Sequence, residues 1–298
     1  MAMALNLAGV FPPVTTPFLD TGDFSPHKLR ANVEKWNRTS LTGYVATGST
    51  GESVFLTQDE KYRVWETLRD AAAPGKLLIA GTAAESARET IELTNKAAEM
   101  GYKVALVRTP HYYKGQMSRA ECQLTYYRAV ADAAKIPVMI YNFPQATSLD
   151  VPADVIIKLS EHPNIIGIKE SAGNLEKVAQ MVNHTPAEFT VLVGSAPTLY
   201  PSLAVGAKGA ILAFANAAPC SSIAIYDAWR NGDHSLALRA QRKIATAAAI
   251  VGPKYGIPGL KYAMDLNGYY GGPVRLPLIP LSPAAKTEIE EVFREVTE

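Results

Sequence analysis

Short apolar runs recur along the chain, each followed by a longer segment in which apolar residues return every three to four positions. The runs fall at residues 10–18, 44–47, 77–81, 104–109, 138–143, 165–169, 191–194 and 210–214. Such short runs, bounded by polar or glycine residues, predict strands buried on both faces, as in a parallel sheet. The segments between them predict amphipathic helices, among them 26–38, 58–73, 86–100, 118–134 and 175–184. Ser25 ahead of Pro26, and Thr57 three residues ahead of Glu60, are residue types that cap helix starts.

Eight strand–helix units within about 220 residues predict an α/β fold, a closed (β/α)8 TIM barrel. A doubly wound open sheet is the structural alternative. Beyond Pro219 the pattern is only helical, at 221–230, 234–251, 257–266 and 283–296. We read this as the last barrel helix followed by a C-terminal helical extension. The expected organisation is a barrel domain over residues 1–232, with residues 233–298 packed on it.

A barrel of this kind carries its chemistry at the C-terminal ends of its strands. Polar residues do follow the runs there: Gly48-Ser49-Thr50-Gly51-Glu52, then Thr109-Pro110-His111-Tyr112-Tyr113, Tyr141-Asn142-Phe143-Pro144 and Lys169-Glu170-Ser171. Lys169 closes the run Ile165-Ile166-Gly167-Ile168. An ammonium is costly to bury, so a lysine there is either paired, led out to solvent, or partly neutral. A neutral amine can form a Schiff base with a carbonyl substrate. Tyr141 shares a strand face with Met139 and could point into the barrel, as a proton relay or as a core tyrosine. The backbone amides of the loop at 48–52 could cradle a carboxylate, or the loop could be an ordinary turn.

The formal net charge of +1 over 298 residues gives no electrostatic case for nucleic acid or an anionic membrane surface. No apolar stretch approaches the roughly 20 residues that span a bilayer. Residues 1–9 lack the basic patch and apolar core of a secretory leader. The only cysteines, Cys122 and Cys220, form no framework of disulfides, which suits a reducing compartment. A cytoplasmic protein is expected. None of the five histidines, His27, His111, His162, His184 and His234, pairs at metal-ligand spacing, so no metal is expected.

Together these residues resemble the family of dihydrodipicolinate synthase and N-acetylneuraminate lyase. The resemblance is carried by Pro13-Val14-Thr15-Thr16-Pro17-Phe18, by Gly48-Ser49-Thr50-Gly51-Glu52, by Tyr141-Asn142-Phe143-Pro144 and by Gly167-Ile168-Lys169-Glu170-Ser171. It continues through Tyr255-Gly256-Ile257-Pro258-Gly259-Leu260-Lys261 and covers nearly the whole chain. The resemblance implies a class I lyase acting on pyruvate or another 2-oxo acid. Lys169 would form the imine, and Tyr141 would move the protons. Ser49 and Tyr112 would complete a relay, with Tyr112 crossing from a neighbouring subunit, so a homodimer or homotetramer is implied. Gly48 and the Ser49 and Thr50 amides would bind the substrate carboxylate. No organic cofactor is implied, because the lysine–pyruvate imine is itself the electron sink.

Three features separate the chain from typical synthases of that family. Ala146 stands where they carry a carboxylate-gripping arginine, and Ser49 stands where they usually carry threonine. His111 replaces a tyrosine associated with feedback by lysine. Residues 109–115, 162–167 and 268–273 look like the 4-hydroxy-2-oxoglutarate aldolase branch. The resemblance therefore favours an aldolase that releases pyruvate. Dihydrodipicolinate synthase, a sugar-acid dehydratase and a non-enzymatic 2-oxo acid binding protein are the alternatives.

Overall fold

In a computed structural model, which describes residues 5–296, the apolar runs become eight parallel strands of one sheet. These are β1 (Gly9–Phe11), β2 (Gly43–Ala46), β3 (Leu77–Gly81) and β4 (Val104–Arg108), then β5 (Val138–Asn142), β6 (Ile165–Glu170), β7 (Thr190–Val193) and β8 (Gly209–Ile211). Their order is β1-β8-β7-β6-β5-β4-β3-β2. The ring closes just after β1, where Val45 N–H donates to Pro12 O and Val14 N–H donates to Val45 O. The fold is thus the TIM barrel that the pattern predicts. Residues 1–4 of the segment read for a leader lie outside the described residues.

Two strands, β1 and β8, fall well short of the hydrophobic runs. Prolines 12, 13 and 17 lack the N–H that a ladder requires, so the run over 10–18 is regular strand only to Phe11. The run over 210–214 gives way to a 3₁₀ turn at Ala213–Asn216. There the Asn216 side chain donates to Pro13 O and Ala213 O, which turns the chain inward instead of extending it.

The helices that cover the barrel are α1 (Pro26–Trp36), α2 (Gln58–Ala71), α3 (Ala87–Glu99), α4 (Ala120–Ala133), α5 (Ala153–Ser160), α6 (Leu175–His184), α7 (Leu199–Ala204) and α8 (Pro219–Arg230). Ser25 caps α1, and Thr57 with Glu60 forms a full capping box on α2. Outward strand residues such as Val10, Tyr44 and Ile168 pack with helix residues such as Trp36 and Trp65 in one large core. Inward residues, including Phe11, Val45, Ile79, Leu106, Met139, Leu192 and Ile211, fill the barrel. Each such fully buried side chain contributes about 1.5–3 kcal/mol.

The extension comprises α9 (His234–Ala249), α10 (Gly256–Leu266) and α11 (Pro283–Phe293). The helix expected over 234–251 ends early and widens into a π turn at Ile250–Lys254. Pro253 cannot donate the next helical hydrogen bond, and Tyr255 N–H reaches five residues back to Ile250 O. This irregular turn and the start of α10 stand over the C-terminal mouth of the barrel.

Candidate active site

Lys169 is the penultimate residue of β6 and Tyr141 the penultimate residue of β5, and the two are register partners across the ladder. The pleat turns Tyr141 inward, where it joins Met139 in the barrel interior. Lys169 Nζ lies 4.1 Å from the centroid of the Tyr141 ring. The lysine is only 4% exposed, and burial alone pulls its amine down to about 7. At neutral pH a substantial part of it is therefore uncharged and nucleophilic. Burial pushes the Tyr141 phenol up to about 12, against the opposing effect of the Ser49 hydroxyl, the Arg108 charge and Ser171. A phenol so raised holds its proton firmly until a neighbouring oxygen becomes more basic, the behaviour required of a proton donor.

Space beside the lysine depends on Gly194, just after β7. A Cβ there would come within 1.9 Å of Ser171 Oγ and 3.1 Å of Lys169 Cε. Ser171 Oγ is itself buried, on the side of Tyr141. Asn142 and Glu170, the last residues of β5 and β6, face the other way into a polar knot. Asn142 Nδ2 donates to Glu170 and, at 2.7 Å, to Asp150; Lys177 Nζ pairs with Asp150 at 2.6 Å and with Glu170 at 3.0 Å. Ala172 N–H closes the knot on Glu170 Oε1 at 2.7 Å. Glu170 is fully buried and compensated, so it ties the two strand ends together and fixes where Tyr141 and Lys169 emerge.

The loop after β2 forms a 3₁₀ turn at Ser49–Gly51, bracketed by two non-glycine residues of positive φ, Thr47 at 49° and Glu52 at 54°. For a β-branched threonine this conformation is costly and must be held from outside. Trp65 Nε1 donates to Thr47 Oγ1 at 2.6 Å, and that hydroxyl donates to Gly81 O at 2.9 Å. Gly81 must be glycine, because a Cβ would sit 2.4 Å from Thr47 O. Thr16 Oγ1 donates to Gly51 O at 2.7 Å and fastens the other side of the turn.

These elements enclose a cavity of about 620 Å³. Of the residues expected from sequence, Lys169, Tyr141, Ser49 and Thr50 line it together. Gly48 does not; it starts the 3₁₀ turn from outside the cavity wall. Tyr112 does not either: it is 77% exposed and packs edge-on against Tyr113, while its N–H and that of His111 donate to Glu85. The short helix Pro144–Thr147 presents Gln145 rather than Ala146 to the cavity, and Gln145 Nε2 donates to Ala172 O. Ser171, Gly194 and Ser195 also line it, as do Val251, Gly252, Pro253, Gly256, Ile257 and Leu260 of the extension. Lys169 is the one basic side chain among the described lining residues, and no acidic one lines the cavity. Among the described residues there is no group of three or more His, Cys, Asp or Glu side chains that could hold a metal. No described helix is long and apolar enough to cross a membrane.

A buried amine facing a phenol, beside a hydroxyl-bearing turn, is equipped for carbonyl chemistry through an imine. Comparison with known proteins agrees: the model of the dihydrodipicolinate synthetase family matches residues 6–296. The chain belongs to the dihydrodipicolinate synthetase family. It is therefore an enzyme of the Schiff-base-forming lyase type. It is 33% identical over 291 residues to a 4-hydroxy-tetrahydrodipicolinate synthase of Methanothrix thermoacetophila, covering 97% of both chains. It is 35% identical over 303 residues to a probable mitochondrial 4-hydroxy-2-oxoglutarate aldolase of Emericella nidulans, covering 100% of this chain and 97% of the other. The crystal structure of a dihydrodipicolinate synthase from Aquifex aeolicus superposes with a TM-score of 0.91 at 29% identity, covering 98% and 99% of the two chains. Synthases and an aldolase thus stand at similar distance within this family, and overall similarity does not choose between them.

Proposed function

We propose that the protein is a pyruvate-releasing aldolase acting on a short 4-hydroxy-2-oxo acid such as 4-hydroxy-2-oxoglutarate, with Lys169 as the imine-forming residue. The observation that carries this reading is the buried, partly neutral Lys169 amine held against Tyr141 in a cavity whose described lining has no acidic side chain. Lys169 Nζ adds to the C2 ketone, and loss of water gives the imine. Cleavage of C3–C4 sends its electron pair into the imine, leaving an enamine, while the C4 hydroxyl proton passes to the relay and an aldehyde departs. Protonation of C3 and hydrolysis then release pyruvate and restore the amine. Tyr141 is the proton carrier of the water-loss and cleavage steps, with Ser49 next in the relay. A Tyr112 from a second copy of the chain would complete it, which accords with its exposure here. The Ser49 and Thr50 amides receive the C1 carboxylate, and no metal or organic cofactor is needed.

Aldolase is favoured over synthase by the lining. Aspartate semialdehyde carries an ammonium beside its carboxylate, and the described lining offers no acidic side chain to receive it, only Gln145, Ser171, Ser195 and apolar residues of the extension. The test is pyruvate release from 4-hydroxy-2-oxoglutarate, measured beside condensation of pyruvate with aspartate semialdehyde. Faster retro-aldol turnover is expected; faster condensation would make the protein a synthase.

A further inference from the structure

Lys261, on α10, is 1% exposed and lies outside the cavity. Burial lowers its pKa, and Glu52 acts against that shift. Its Nζ reaches Glu52 Oε1 at 2.6 Å, Thr16 O at 2.9 Å and Pro273 O at 2.8 Å. One buried ammonium thus joins three segments that are distant in sequence: the turn after β1, the end of the 3₁₀ turn that carries Ser49 and Thr50, and the strap after α10. The other Glu52 oxygen accepts Arg275 N–H at 2.9 Å, and Arg275 forms a two-pronged pair with Glu60 on α2 at 2.6 and 2.8 Å.

Glu52 is the residue that needs such fastening. It is buried, carries a positive φ, and ends the turn. Strain of this kind persists only where surrounding contacts over-determine the conformation. The Thr47 end is held by barrel residues, through Trp65 and Gly81, whereas the Glu52 end is held from the extension. The next residue back on α10, Leu260, lines the cavity. The same helix therefore builds the outer wall and sets the turn.

We propose that Lys261 is a positioning residue for the reaction: through Glu52 and Thr16 it holds the Ser49–Thr50 turn in the geometry that receives the carboxylate of the 2-oxo acid. This rests on the reading that the turn is the carboxylate cradle and Lys169 the imine-forming residue. Lys261 touches no substrate. Its removal should weaken recognition of the carboxylate while leaving the Lys169 amine as reactive as before, because Lys169 is positioned by β6 and the Glu170 knot.

The test compares two ketones, pyruvate and acetone, which differ in the carboxylate, by the rate of borohydride trapping on Lys169. Lys261→Met alone would leave Glu52 buried without its partner and could fail to fold. The second variant is Glu52→Gln/Lys261→Met, which removes both charges; circular dichroism and a thermal melt establish that it is folded. In that variant the half-saturating pyruvate concentration is expected to rise at least tenfold, with acetone trapping unchanged. Unchanged pyruvate dependence overturns the positioning role, and so does an equal loss for both ketones, which would mark a general structural effect. A wild-type protein that forms no adduct with pyruvate would overturn the underlying reading as well.

Discussion

Tyr141 and Lys169 are register partners on adjacent parallel strands, and the lysine Nζ lies 4.1 Å from the centre of the tyrosine ring. Parallel pairing brings the two side chains to the same rim, and the Glu170–Asn142–Lys177 knot keeps the strand ends from sliding. Neither residue is exposed enough to regain bulk solvation, so their chemistry is set by burial and by each other.

The first consequence is a pH dependence. With the Lys169 amine near 7, the neutral fraction grows as pH rises through that value. The rate of imine formation with pyruvate should therefore climb from pH 6 to pH 8 and then level. Stopped-flow trapping across that range checks it; a profile still rising steeply above pH 9 would place the amine near its ordinary value.

Lys169→Met should abolish the imine and stabilise the fold. The folded amine titrates near 7, but in the unfolded chain it returns to about 10.5. Between those values the unfolded chain binds more protons, so wild-type stability rises with pH over that window. The Met variant lacks this slope and should gain on the order of a few kcal/mol at pH 7. Denaturant melts at pH 7 and pH 9 measure both effects; a less stable variant at pH 7 would contradict the assigned burial cost.

Tyr141→Phe keeps the ring and removes the hydroxyl proposed to carry the proton. Turnover should fall by roughly 10²–10⁴-fold, with the melting temperature little changed. An unchanged rate would make Tyr141 a packing residue of the barrel interior.

Gly194→Ala tests the space beside the lysine. The new methyl would collide with Ser171 and crowd Lys169 Cε, so trapping should slow at least tenfold. Adding Ser171→Gly removes the nearer collision and should restore part of the rate. If the single variant trapped pyruvate normally, the wall at β7 would not constrain the amine.

Much of this arrangement can be read from sequence because it is local. Strand β3 and helix α6 have the limits that the hydrophobic pattern predicts, since burial on both faces or on one stripe dictates residue type directly. Lys169 stands out because it ends an apolar run, and Tyr141 because it lies at the polar end of the run before it. Gln145 was masked by its neighbour Ala146: which residue of a four-residue helix meets the cavity depends on how Phe143 and Pro144 turn the chain. Part of the wall over 251–257 comes from a π turn at Ile250–Lys254, where the period predicts only the end of a helix at 251 and the start of another at 257. Lys261 closes the motif over residues 255–261, but nothing in the sequence assigns it a role. On a helical pattern a lysine reads as solvated, and only tertiary packing shows that its ammonium is surrounded by Glu52, Thr16 and Pro273. Tyr112 is the converse case: expected in the relay, it is exposed and lies off the cavity of its own chain.

The central claim is that Lys169 carries the substrate as an imine. Borohydride reduction in the presence of pyruvate, followed by intact-mass analysis and peptide mapping, tests it most directly. The account predicts a single pyruvate adduct, on the peptide containing Lys169. A folded protein with no adduct, or with the adduct on another lysine, would contradict it.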